Sequence, residues 1–84
     1  MYQVLIRKEA AKFFKKHPSA IVTQVRNKII LLKEFPDVSN IKKLKGELSE
    51  YYRLRLGNVK IIFYVDKETK TIEVDTIDFR GNVY

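Results

Sequence analysis

The residues best suited to chemistry in this sequence are cations and aromatic side chains in its second half. Arg53, Arg55 and Lys60 are the central candidates, and Arg80 and Tyr84 extend the catalytic set. Guanidinium groups hold two phosphate oxygens at once, and an ammonium group holds phosphate as a point charge. Such cations can stabilise the pentacoordinate phosphorus that forms when a ribose 2′-hydroxyl attacks the adjacent phosphate. The set could therefore support metal-independent phosphodiester cleavage, with Tyr84 able to stack on a base.

A predicted β-hairpin positions the first three cations. The Gly-Asn dipeptide at 57–58 is a strong hairpin signal, because glycine tolerates the positive φ that a type II′ turn requires. With this loop, Leu54 pairs with Ile61, and Arg55 pairs with Lys60. Apolar residues then share one face of the hairpin, and basic residues share the other. Directly opposed like charges destabilise a sheet, so we expect this face to bind an anion.

The charge of the chain is uneven. The 84 residues carry a net charge of +7, and the length predicts a single domain over residues 1–84. Residues 1–60 contain 14 basic and 5 acidic residues, whereas residues 61–84 contain 3 basic and 5 acidic ones. A basic surface of this kind favours a polyanionic partner such as nucleic acid, although a solvated basic surface remains an alternative.

Periodicity predicts an α+β fold of the order β-α-α-β-β-β. Two N-terminal helices would cover one face of a mostly antiparallel sheet and leave the cationic face open. In the last strand the apolar residues change from even positions (Ile72, Val74) to odd positions (Ile77, Phe79). An extra residue would account for this change, so we predict a β-bulge near residues 75–76. The predicted elements are a strand at 2–7, helices at 8–16 and 19–35, an irregular segment at 36–49, and strands at 50–56, 59–66 and from 71 onward.

Several other kinds of site are not expected. The chain has no cysteine and one histidine, His17, so a metal centre, a disulfide or a catalytic triad has little support. Its three glycines are isolated, which argues against a phosphate-binding glycine loop. We therefore expect no cofactor. The absence of cysteine suits a reducing cytoplasm, and no apolar run is long enough to span a membrane.

Other residues could contact RNA, and for the lysines among them a simpler explanation exists. The candidates for binding are Lys42, Lys43, Lys45, Tyr51 and Tyr64. The three lysines could equally form a solvated loop.

The catalytic candidates have alternatives of their own. Arg53 and Arg55 could simply solvate an exposed sheet face. Lys60 could pair with Asp75 or Asp78 on the next strand.

The sequence resembles the RelE/ParE superfamily of toxins from bacterial and archaeal toxin–antitoxin pairs. The resemblance covers nearly the whole chain, including the proline at 36 that follows the long predicted helix. The segments that carry it are Lys-Leu-Lys-Gly at 43–46, Tyr-Arg-Leu-Arg-Leu-Gly at 52–57, the strand at 60–66 and Arg-Gly-Asn-Val-Tyr at 80–84.

The resemblance implies a RelE-like mRNA interferase that cuts the codon in the ribosomal A site without a metal. Arg53 and Arg55 match the paired basic residues of the family, and Lys60 falls where many members carry arginine. Arg80 and Tyr84 match the terminal arginine–tyrosine pattern. The implied partners are mRNA on the ribosome and a cognate antitoxin. The alternatives are a ParE-like inhibitor of DNA gyrase and an inactive RNA- or ribosome-binding module.

Overall fold

The computed structural model describes residues 1–46 and 50–79, which form two α-helices, a short 3-10 helix and five strands. The α+β architecture and the order of the predicted elements are confirmed. The elements are β1 (Gln3–Ile6), α1 (Lys8–Lys16), α2 (Ser19–Ile30), a 3-10 helix (Leu31–Glu34), β2 (Ile41–Lys43), β3 (Tyr51–Leu56), β4 (Val59–Asp66) and β5 (Thr71–Phe79).

The strands form one sheet in the order β1-β5-β4-β3-β2. The β2–β3, β3–β4 and β4–β5 pairs are antiparallel, while β1 lies parallel to β5. The sheet is therefore mostly antiparallel, as the periodicity predicts. The first and last strands of the described chain are neighbours, which brings the N-terminal segment beside β5.

The hairpin formed by β3 and β4 has the predicted register. Leu54 pairs with Ile61 and Arg55 with Lys60, so the two-residue loop lies at 57–58. Gly57 has a φ of 57°, which is the left-handed value that the turn requires and that glycine adopts without a Cβ clash. This register sends apolar and basic side chains to opposite faces of the sheet.

The predicted bulge in β5 is also present. Ile62 pairs with Thr76, but the next residue of β4, Phe63, pairs with Val74, so Asp75 is the extra residue. After the extra residue, the side chains of β5 that face the core stand at odd instead of even positions. Val74 and Ile77 can therefore both be buried.

The hydrophobic core lies between the helices and one face of the sheet. The alternating residues of β4 that face the helices are at most 1% exposed, so this strand is the centre of the core. The helices contribute residues at helical spacing from their inner faces. The buried side chains of these elements are Ala10, Phe13, Val25, Ile29, Leu32, Leu54, Val59, Ile61, Phe63, Val65, Ile72, Val74 and Ile77.

Two details differ from the sequence-based expectation. The second α-helix ends at Ile30, and a 3-10 turn then leads to Phe35, whose buried ring packs edge-on against Tyr52. The segment at 36–49 also contains a strand, β2, which lines the edge of β3. Its Ile-Lys-Lys sequence is too short to show a period of two, and pairing with β3 determines its conformation. None of the helices in the described ranges has the length and apolarity to cross a membrane.

Candidate nucleic-acid interface

The sheet face opposite the helices carries a group of basic side chains. Leu54 is completely buried on the helix side, so its strand neighbours Arg53 and Arg55 point to this open face. Lys60 lies opposite Arg55, and Lys42 lies opposite Arg53. We call these four residues the cationic strip. It crosses β2, β3 and β4, and its positions are defined by backbone pairing.

The two arginines of the strip are short of hydrogen-bond acceptors. The Nε atoms of Arg53 and Arg55 are both buried without a hydrogen-bond partner. Within residues 1–46 and 50–79, neither guanidinium forms an ion pair with a carboxylate. A buried donor that lacks an acceptor costs roughly 1–3 kcal/mol. An anion on the open face would supply charge for both guanidinium groups, so the strip is suited to phosphate.

Lys60 is half-buried, with a basic residue on one neighbouring strand and an acidic residue on the other. Arg55 lies opposite it on β3, and Asp78 lies opposite it on β5. Asp75, the other suggested partner, lies 3.7 Å from the Nε atom of Arg7. Lys60 thus stands where the cationic strip meets the acidic strand β5.

The lysines predicted to bind RNA are divided between different surfaces. Lys42 belongs to the strip, but Lys43 pairs with Tyr52, whose ring stacks on Phe63 in the core. The side chain of Lys43 therefore leaves the edge strand β2 on the side of the sheet that the helices cover. Lys45 is exposed in the segment that follows β2. The structure brings only the first of the three lysines to the arginines.

Tyr51 and Tyr64 lie opposite each other on the open face, next to the strip. Their ring centroids are 5.2 Å apart, and the rings are inclined at 59°. Together with Arg7, Glu73 and Asp75 they line a cavity of about 310 Å³, which we call the tyrosine cavity. The two predicted RNA-binding tyrosines thus belong to one concave site.

Arg7, like Glu73, is a residue of this region that the sequence did not indicate. Its Nη1 atom lies 2.6 Å from Oε1 of Glu73, and the charge of Asp75 is also near. The hydrogen bond to Glu73 and the charges of both carboxylates raise the pKa of Arg7. Only the parallel pairing of β1 with β5 brings these residues together, and that pairing has no local sequence signal.

The acidic neighbours also affect Tyr51. The negative charge of Asp75, followed by partial burial and a hydrogen bond to the same carboxylate, raises the pKa of the Tyr51 phenol. This phenol is therefore protonated at neutral pH and acts as a donor. It is not suited to serve as a proton acceptor in catalysis.

The other candidate residues have different outcomes. Arg80 and Tyr84 lie outside the described residues, so their place in the catalytic set stays a prediction. His17 packs between aromatic rings, 4.2 Å from the ring centroid of Phe13 and 4.9 Å from that of Phe79. Over residues 1–46 and 50–79 there is no group of three or more potential protein ligands for a metal ion.

Solved structures that resemble this chain include toxins and toxin–antitoxin complexes. The RelBE2 complex of Mycobacterium tuberculosis contains a chain that is 25% identical, with a TM-score of 0.81, and the match covers 94% of this chain and 98% of that one. The archaeal RelE–RelB complex of Pyrococcus horikoshii gives 27% identity, a TM-score of 0.78 and 98% coverage of both chains. The RelB–RelE complex of Methanococcus jannaschii gives 29% identity and a TM-score of 0.76, covering 95% and 94%.

These likenesses confirm the resemblance to the RelE-like toxin superfamily. The chain has the RelE fold over nearly its whole length, and the cationic strip lies on the face that the helices leave open. Neither the family models nor the curated proteins compared with the sequence give a match.

Proposed function

We propose that this chain is the toxin of a toxin–antitoxin pair and a metal-independent endoribonuclease that cleaves mRNA in the ribosomal A site. One observation carries the proposal above the others. Arg53 and Arg55 project from adjacent same-face positions of β3, with buried Nε atoms that lack an acceptor. Two guanidinium groups held in this way on a rigid strand favour a phosphate ligand over a solvated surface.

The proposed reaction is an attack of the ribose 2′-oxygen on the adjacent phosphorus. The 2′-hydroxyl loses its proton as it attacks, the bond between phosphorus and the 5′-oxygen breaks, and the 5′-oxygen takes up a proton, which leaves a 2′,3′-cyclic phosphate and a 5′-hydroxyl group. Arg53, Arg55 and Lys60 stabilise the additional negative charge on the phosphoryl oxygens as the pentacoordinate phosphorus forms. Arg80 would add a further cation, and Tyr84 would stack on an unstacked base.

The proposed partner is an antitoxin that covers the open face. The three solved structures compared above are complexes of RelE-type toxins with RelB-type antitoxins. The net charge of +7 and the cationic strip favour an acidic antitoxin segment, because charge complementarity speeds association and excludes wrong partners. Such a segment would block phosphate from Arg53 and Arg55.

Primer extension on mRNA in a translating extract tests this function. With the parent protein we expect new 5′ ends within codons that occupy the A site. Arg53→Ala and Arg55→Ala should remove these ends, because each takes away a phosphate-binding cation. Arg26→Ala is the matched control, since this exposed arginine lies on α2, on the other side of the sheet.

Two results would contradict the proposal. Intact mRNA together with accumulated gyrase–DNA cleavage complexes would instead support a ParE-like inhibitor. Intact mRNA on ribosomes that retain the bound protein would support an inactive binding module of the same fold.

A further inference from the structure

The tyrosine cavity has features that phosphate binding does not explain. Two aromatic rings form part of its wall, and the carboxylates of Glu73 and Asp75 form another part. These carboxylates would repel a phosphate group. Its volume of about 310 Å³ is at the lower end of the range typical for small-molecule sites. A planar, uncharged group that carries N–H donors fits such a lining better than an anion does.

The charge balance of the cavity argues against a second cation as the ligand. Arg7 already contacts both carboxylates, at 2.6 Å from Glu73 and 3.7 Å from Asp75. One positive and two negative side chains leave a net charge of −1. A lysine or arginine from a partner peptide would meet the guanidinium of Arg7 at close range. A neutral donor avoids this repulsion and can still use the remaining lone pairs of the carboxylates.

Nucleobases differ in the donors that they can offer to a carboxylate. Guanine has two adjacent donors on its Watson–Crick edge, N1–H and the N2 amino group, which together match the two oxygens of one carboxylate. Adenine and cytosine have a single amino group, and uracil has a single imino hydrogen. The aromatic rings of Tyr51 and Tyr64 can stack on any base, so the carboxylates are the source of discrimination.

We propose that the tyrosine cavity is a base-binding subsite that selects guanine, with Tyr51 and Tyr64 as the stacking surface and Glu73 and Asp75 as acceptors. The choice of RNA as the source of the base rests on the proposed function. The phenol of Tyr51, bonded to Asp75, fixes that carboxylate in the cavity wall. Arg7 does the same for Glu73.

The cavity lies next to the cationic strip along the same strand. Tyr51 and Arg53 are both on the open face of β3, two residues apart, which corresponds to about 6.6 Å along a strand. A nucleotide can therefore place its base in the cavity while a neighbouring phosphate lies over Arg53. In this arrangement the base held by the cavity fixes which phosphodiester reaches the strip.

Nuclear magnetic resonance titration of the full chain with single nucleotides tests the subsite without requiring cleavage. The probes are the 5′-monophosphates of guanosine, adenosine, cytidine and uridine, followed through the backbone amides of Tyr51, Tyr64 and Glu73. We expect guanosine monophosphate to bind about tenfold more tightly than uridine monophosphate, the discrimination of one good bidentate contact. Glu73→Gln and Asp75→Asn should remove this preference, whereas Glu68→Gln, in the exposed turn after β4, should keep it.

The outcomes separate this proposal from the nuclease assignment. Equal shifts from all four nucleotides, or shifts confined to Arg53 and Arg55, overturn the guanine subsite while leaving phosphate binding intact. Stronger binding of N-acetylarginine amide than of guanosine monophosphate would also overturn it and identify a peptide pocket. Guanine selection in a chain that leaves mRNA intact in the translating extract would keep the subsite and reject only the nuclease function.

Discussion

Arg55 lies directly opposite Lys60 across the β3–β4 ladder, so two cations share one position of the sheet. Like charges in this relationship oppose folding, yet the apolar pairs on the other face hold the register. The strand positions thus keep cations close together at a cost in stability. That cost is expected where a surface has to bind an anion, because function and stability make opposite demands on such a site.

Replacing Arg55 by alanine should relieve growth inhibition without unfolding the protein. The side chain projects from the open face, away from the buried Leu54. We expect colony growth to recover by at least about tenfold, because a charged hydrogen bond to phosphate contributes roughly 1.5–3 kcal/mol. Growth after induction and a circular dichroism melt check this prediction. A folded variant as toxic as the parent, with Arg26→Ala also toxic, would contradict it.

Replacing Arg55 by leucine should stabilise the fold while removing activity. The change eliminates the repulsion by Lys60 and a buried Nε donor that lacks an acceptor. We expect the free energy of unfolding to rise by about 1 kcal/mol. Urea denaturation at low and high salt measures it, and the gain should shrink as salt screens the repulsion. A loss of stability at low salt would argue that an interaction of the Arg55 guanidinium stabilises the fold.

A pair of aspartate substitutions tests the two faces of the sheet. Leu54→Asp should abolish cooperative folding, because it buries an unpaired charge at a position with no exposed surface. Ile62→Asp, on the open face opposite Arg53, should fold, because the new carboxylate faces a guanidinium. Thermal melts and one-dimensional proton spectra distinguish the variants. Cooperative melting of Leu54→Asp would mean that the hairpin faces are reversed.

The hairpin loop offers a test of backbone conformation alone. At Gly57, φ is 57° and a Cβ atom would have no neighbour within 4 Å, so alanine meets strain but no clash. We expect Gly57→Ala to lower the free energy of unfolding by about 1–2 kcal/mol. The matched change Asn58→Ala should cost less, since Asn58 does not have a positive φ. Urea denaturation provides both values, and equal costs would contradict the prediction.

The Tyr51 phenol gives the fold a dependence on alkaline pH. Its pKa is raised in the folded state, mainly by the charge of Asp75, so the folded chain holds this proton more firmly than the unfolded chain. The associated stability is fully present below the ordinary tyrosine pKa and is lost as pH rises through the raised value. Ultraviolet titration should show a phenol that ionises above the ordinary tyrosine pKa; this signal should disappear in Tyr51→Phe and move to lower pH in Asp75→Asn.

The register of the hairpin and the bulge were predictable because local patterns determine them. Alternation around the Gly-Asn loop fixes which residues oppose each other, and a single change of parity in β5 locates the extra residue at Asp75. The same alternation correctly assigned Arg53 and Arg55 to the open face. These parts of the site need no knowledge of distant chain segments.

Contacts between distant segments could not be inferred in this way. The Arg7–Glu73 bond joins residues 66 positions apart and depends on the parallel pairing of β1 with β5. β2 has three residues and no alternating pattern, so its pairing with β3, which puts Lys42 and Lys43 on different surfaces, had no signal. The tyrosine cavity was missed for the first reason, since Arg7, which follows β1, and the carboxylates of β5 form part of its wall.

The parallel pairing of β1 with β5 also constrains how this chain can be made. β1 has no partner strand until β5, the last strand described, has been synthesised. In contrast, β2 to β5 can pair in turn as each is made. Such late, long-range closure slows folding. The tyrosine cavity, which takes Arg7 from the segment after β1 and two carboxylates from β5, is therefore complete only after this pairing has formed.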